Sequence, residues 1–162
     1  MIDRAKLIES LDAIEGWLSP LAADLTIRIL QHQEAAKLEG AIVEIGVHKA
    51  RYLALLHTLA GHRSTVVGID ALLNSDANPL TEPHRTNAMS LMRANVESIS
   101  GNADNLSLIG ANTLGLTQLD IREACGDQSI RYAHIDGGHD CETVLNDLTI
   151  LVKQKQVTAF CI

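Results

Sequence analysis

The sequence has 162 residues, 46% hydrophobic but only 2% aromatic, which suits one domain with an aliphatic core and leaves almost nothing for stacking single-stranded nucleic acid. Against 13 basic side chains stand 20 acidic ones, a net charge of −7 with no basic run, so neither nucleic acid nor a membrane surface is an expected partner. No apolar stretch approaches the ~20 residues that span a bilayer, no signal-peptide core follows Met1, and Cys125, Cys141 and Cys161 lack CxxC spacing, so a reducing, cytoplasmic setting is expected.

In chain order, Leu7, Leu11, Ile14 and Leu18 mark a short first helix interrupted near Gly16. Ser19-Pro20 is a start signal for a second, which Leu21, Leu25 and Ile29 carry towards Gly40; His32 on it reads as a surface residue. Residues 41–45 form a short apolar run interrupted by one carboxylate, the pattern of a buried parallel strand. Gly46 breaks it, and from Ala50 the residues Leu53, Ala54, Leu56 and Ala60 follow helical spacing to Gly61. Residues 65–70 read as a second strand, 74–83 as a polar loop, and Met89, Met92, Val96 and Ile99 as a helix ending at Gly101. A third strand over 105–110 leads into Ala111-Asn112. Thr117 and Asp120 then form a capping box for a helix that Gly126 closes. Residues 129–135 are the fourth strand. Asp140 caps a helix whose apolar face is Val144, Leu145, Leu148, Leu151 and Val152, and residues 157–162 are the fifth strand. This alternation predicts an α/β, Rossmann-like, mostly parallel sheet of about five strands with helices on both faces. Residues 1–39 form a helical cap over one edge or the mouth of a cleft, and 40–162 form the core of a single domain.

Three carboxylates fall at strand tips, where open α/β sheets bind ligands. Glu44 is costly to bury unless something uses it. The turn after it holds only Gly46, followed by Val47, His48, Lys49 and Ala50, which is too poor in glycine to close on a pyrophosphate. A cationic or zwitterionic ligand suits it better, and S-adenosylmethionine fits that description; the alternative is a plain turn in which Glu44 caps a neighbour. Asp70 lies 24 residues beyond Gly46, near the ~20-residue offset of a ribose-binding acid, although it could simply open a turn. Asp136-Gly137-Gly138-His139-Asp140 places a carboxylate beside an imidazole, which offers a metal ligand, a general base or an ordinary turn.

Together, Val43-Glu44-Ile45-Gly46-Val47-His48-Lys49 and Ile135-Asp136-Gly137-Gly138-His139, with the helical Asp147, resemble class I S-adenosylmethionine-dependent methyltransferases of the small-molecule O-methyltransferase type. The likeness runs from residue 40 to 162. It implies that Glu44 and Gly46 flank the methionine end of the donor, that Asp70 binds the ribose and that Gly110, Ala111 and Asn112 lie near adenine. Val47, His48 and Ala71 are expected to contact the donor as well. It further implies that Asp136 touches the donor or binds Mg²⁺, and that His139 is the base. Ala50 and Arg51 depart from the family's Gly and small hydroxyl residue, and Ala111-Asn112 from its acidic residue. Family members continue past the fifth strand into an acidic pair and two further strands, so the core is expected to be incomplete at its C-terminus. The exposed edge of the last strand is then expected to pair with a second copy, giving a homo-oligomer. The expected activity is methylation of a hydroxyl on a small-molecule acceptor by in-line displacement. The competing expectation is a truncated, non-catalytic donor-binding or assembly module, and a nicotinamide dehydrogenase is disfavoured by the glycine-poor turn.

Overall fold

An apolar run interrupted only by Glu44 makes strand β1 (Ala41–Ile45) buried on both faces, and a computed structural model, which describes residues 3–73, 78–152 and 159–161, puts it at the centre of the sheet. Strands β2 (Val66–Asp70), β3 (Leu106–Gly110), β4 (Ile130–Ile135) and β5 (Ala159–Cys161) complete a five-stranded sheet in the order β3-β2-β1-β4-β5, every pair parallel. The chain runs outward from β1 to β3 and then returns to the other side of β1. Such a reversal opens a crevice beyond the carboxyl ends of β1 and β4.

Helices α1 (Arg4–Ser10), α2 (Pro20–Ala35), α3 (Arg51–Ala60) and α4 (Glu82–Ser100) cover one face, where Leu11, Ile27, Leu30, Leu53, Leu56 and Val96 pack with Ile42 and Tyr132. Helices α5 (Gln118–Ala124) and α6 (Cys141–Val152) cover the other, over Val43, Ile45, Val67, Ala133 and Ile135. Local signals set the boundaries. Ser19 Oγ accepts from the Ala22 amide at 3.1 Å with Pro20 in the first turn of α2, and Thr117 and Asp120 form the expected capping box on α5. Among the described residues no helix is long and apolar enough to cross a membrane.

Several expectations need correction. Helix α2 stops at Ala35 rather than continuing towards Gly40. Helix α4 begins at Glu82, because Pro83 sits in its first turn, where a missing N–H does no harm; the polar loop is therefore shorter than 74–83. The face of α6 is rotated: Asp147, Ile150 and Leu151 are buried, whereas Leu145 and Val152 are 58% and 55% exposed. Helical geometry places 144, 147, 148 and 151 on one stripe, so selecting only apolar residues passed over Asp147. Residues 74–77 of the expected loop and residues 157, 158 and 162 of the expected fifth strand lie outside the described residues.

Candidate functional site

The crevice is built on the turn after β1. The Gly46 amide donates to the Ile69 carbonyl at 2.8 Å and the Asp136 amide to the Ile45 carbonyl at 2.8 Å, which ties the tips of β1, β2 and β4 together. Gly46 has φ +89°, and a Cβ there would lie 2.0 Å from the Asp136 carbonyl oxygen, so only glycine fits. His48 (φ 52°) and Ala50 (φ 68°) are also left-handed, which accounts for the glycine that the resembling family carries at the position of Ala50. Asp70 holds this strained turn in place. Its Oδ2 accepts from the amides of Val47 (2.9 Å) and His48 (2.8 Å), and its Oδ1 accepts from Leu72 (2.8 Å).

Two hollows meet at this turn. An open cleft of about 890 Å³ runs over the strand tips and is bordered by Asp70, Ala71, Asn112, Asp136 and His139. A smaller cavity of about 200 Å³ lies beneath residues 16–19 and is floored by Glu44, Tyr52 and His134. Trp17, Gly46, His48 and Asp136 border both. The fold therefore brings Gly46, His48, Asp70, Ala71, Asn112, Asp136 and His139 to one cleft, and Glu44 and Val47 to the adjoining cavity. Gly110 lines neither. It lies under α4, where its carbonyl accepts from Arg85 and a Cβ would meet Leu72 and Met89.

Glu44 is 2% exposed, and burial pushes its carboxyl up to about 7, against the opposing pull of the nearby His134. Its Oε1 lies 3.8 Å from His134 Nδ1, too far for a hydrogen bond; Glu44 Oε2 and His134 Nδ1 are both buried without a partner. The Tyr52 ring packs 4.2 Å from His134, and its hydroxyl is bonded to those of Thr26 and Tyr132, each at 2.7 Å. That chain fixes the cavity wall but leaves the Glu44 carboxylate unsatisfied. A buried carboxylate in this state points to a ligand that carries positive charge or donates hydrogen bonds.

On the β4 side, Asp136 and His139 are exposed at the cleft. Asp140 is occupied locally, accepting from the Thr143 amide (2.9 Å) and hydroxyl (2.7 Å), contacts that lower its pKa. Behind this turn Asp147 is fully buried, 3.5 Å from where a Gly137 Cβ would stand; burial raises its pKa against the opposing pull of Thr113 and Asn146. Among the described residues no group of three His, Cys, Asp or Glu side chains could hold a metal ion. The Mg²⁺ expected at Asp136 therefore finds no set of further ligands among the described residues.

Sequence reasoning did not single out Trp17, Tyr52 or His134, and it read Arg51 only as a departure from the family pattern. His134 carried a signal, a polar residue near the end of an otherwise buried strand. The grouping of the other three depends on the cap folding over β1.

No family model matches the sequence, and no curated protein does. Solved structures do match. CalS11, described as a calicheamicin methyltransferase, superposes with a TM-score of 0.57 at 16% identity, over 96% of this chain and 72% of that one. The Rossmann-like fold is shared with this methyltransferase. The apo form of CalS11, described as TDP-rhamnose 3′-O-methyltransferase, gives a TM-score of 0.58 at 17% identity, over 97% and 67% of the two chains. Cofactor-bound Rv0187 from MTB gives 0.59 at 15% identity, over 96% and 63%. This methyltransferase fold thus spans between 63% and 72% of the length of those three chains.

Proposed function

We propose that the protein binds S-adenosylmethionine and methylates a hydroxyl of a small molecule. The observation that carries this reading is the Glu44 carboxylate, buried without a full partner beside Gly46 at the point where the sheet order reverses. It can neutralise the ammonium of the donor's methionine end, with Gly46, Val47 and His48 forming the turn beneath. Asp70 and Ala71 face the cleft where a ribose would lie. Three backbone amides already use part of the Asp70 carboxylate, and its remaining lone pairs can accept ribose hydroxyls. Asn112 borders the adenine end. When bound, the donor supplies an electrophilic methyl group on a sulfonium.

The chain's own residues position the acceptor and handle its proton. His139, exposed at the cleft, is the base for the hydroxyl proton, and Asp136 orients the acceptor or the imidazole. The description of CalS11 as a 3′-O-methyltransferase supports a hydroxyl acceptor for this fold. Titration calorimetry should show S-adenosylhomocysteine binding that is unaffected by added Mg²⁺; no binding would overturn the reading. His139→Ala should leave that binding unchanged while slowing methyl transfer roughly 10²–10⁴-fold, the usual contribution of a general base. Unaltered transfer across every accepted acceptor would remove the role.

A second reading, a non-catalytic donor-binding or assembly module, is favoured by one observation: among the described residues β5 pairs only with β4, leaving its outer edge unpaired. Pairing of that edge with a second copy predicts a dimer by light scattering at high protein concentration. A monomer there would discard the assembly.

A further inference from the structure

We propose that Arg51 grips the carboxylate of the donor's amino-acid head, opposite Glu44, so that the cavity beneath residues 16–19 is a zwitterion pocket. The proposal rests on the donor reading above and adds a residue that the family resemblance does not provide, since Arg51 stands where a small hydroxyl residue is usual.

Glu44 and Arg51 line the same cavity of about 200 Å³, yet they form no ion pair with each other. Each is left incomplete. Among the described residues, Glu44 Oε2 is buried with no donor and Arg51 Nε is buried with no acceptor. The rest of the guanidinium is held by the cap: Nη1 donates to the carbonyl of Gly16, which also lines the cavity, at 2.9 Å, and Nη2 is bonded to the Asp12 carboxylate. Asp12 is largely solvated, so that ion pair contributes little to stability, and it does not engage Nε. Two opposite charges that share one cavity without meeting call for a ligand with opposite charges of its own. An α-amino-acid head is such a ligand.

The backbone reinforces the choice. Arg51 is the first residue of α3, whose N-terminal amides add positive potential at the same end of the cavity. The cap is fastened to this turn through Asp12 to Arg51, Glu15 to Lys49 at 2.5 Å, and the Trp17 ring stacked 6.1 Å from His48. The pocket is therefore assembled from three separate segments, the cap, the turn after β1 and the end of β4. Trp17, the chain's single tryptophan, is 94% exposed at its mouth and can report its occupancy by fluorescence.

The test compares S-adenosylhomocysteine with 5′-methylthioadenosine, which keeps the nucleoside and sulfur but lacks the amino-acid head. By calorimetry the unaltered protein should bind S-adenosylhomocysteine at least ten-fold more tightly. Arg51→Met should weaken S-adenosylhomocysteine several-fold, part of the way to the methylthioadenosine value because Glu44 still meets the ammonium, while leaving methylthioadenosine binding as it was. Arg51→Lys should restore part of the difference, because an ammonium keeps the charge but not the fork. Equal weakening of both ligands by Arg51→Met would mean a structural effect on the cap and would overturn the proposal. So would unchanged S-adenosylhomocysteine binding, which leaves the donor reading standing. If the unaltered protein binds no S-adenosylhomocysteine, the donor reading itself fails and this inference falls with it.

Discussion

Gly46→Ala is expected to be the most damaging single substitution in the chain. Two separate effects combine at this position. The residue sits at φ +89°, where an L side chain is strained, and the added carbon would stand 2.0 Å from the Asp136 carbonyl oxygen and 2.7 Å from the Gly137 nitrogen. Both neighbours are backbone in the tip of β4, which the Asp136 amide ties to Ile45, so neither can swing away as a flexible side chain could. Left-handed strain of about 1–2 kcal/mol and overpacking of about 1–3 kcal/mol together give a loss of roughly 2–5 kcal/mol. For a chain of this size that corresponds to a fall in Tm of roughly 4–20 °C, readable by circular dichroism. Gly101→Ala is the control. Its φ is +83°, but no atom lies within 4 Å of the added carbon, so only the conformational strain of about 1–2 kcal/mol applies. Equal losses for the two variants would show that the close approach of β1 and β4 does not hold the crevice shut.

The second large effect is a dependence of stability on pH set by Glu44. Its carboxyl is raised from 4.5 to about 7, so between these values the folded protein holds a proton that the unfolded chain has released. Stability from this group is therefore fully present below about pH 4.5, falls as pH rises through 7, and is level above that. At 1.36 kcal/mol per pH unit, the whole excursion amounts to about 3 kcal/mol. Glu44→Gln removes the titration while keeping the shape. Urea denaturation should show the variant gaining on the unaltered protein as pH rises from 5 to 8, with the same variant binding S-adenosylhomocysteine at least ten-fold more weakly at pH 8. A buried carboxylate that weakens the ligand-free fold and strengthens ligand binding is the pattern expected of a group kept for function. Parallel pH profiles for the two proteins would show that Glu44 is not the titrating group.

The folded architecture explains why these two residues were readable in advance while others were not. Strand β1, its glycine turn and α3 are specified by neighbours in sequence: an apolar run, a residue that tolerates positive φ, then helical spacing. The capping box at Thr117 and Asp120 is equally local, and both matched the structure to within a residue or two. The face of α6 did not match, because which side of a helix is buried depends on the sheet it meets. There Asp147 occupies a buried position that its chemistry alone would not assign. Gly110 was expected at the cleft rim, but it is drawn under α4 by Arg85, a contact across 25 residues.

What the sequence determined by itself is the set of parts: parallel strands with acidic tips, a single-glycine turn that no pyrophosphate motif would use, and helices at the spacings observed. Those features are settled within a few residues, by backbone conformation and by the period of the apolar side chains. What only the tertiary structure decided is which charges share a space. Glu44 and Arg51 lie close in sequence, but the cavity between them exists only because residues 12–19 fold across the turn and His134 arrives from β4. Burial, and with it the chemistry of a carboxylate, is a property of what surrounds a residue on all sides, and no short stretch of chain contains that information.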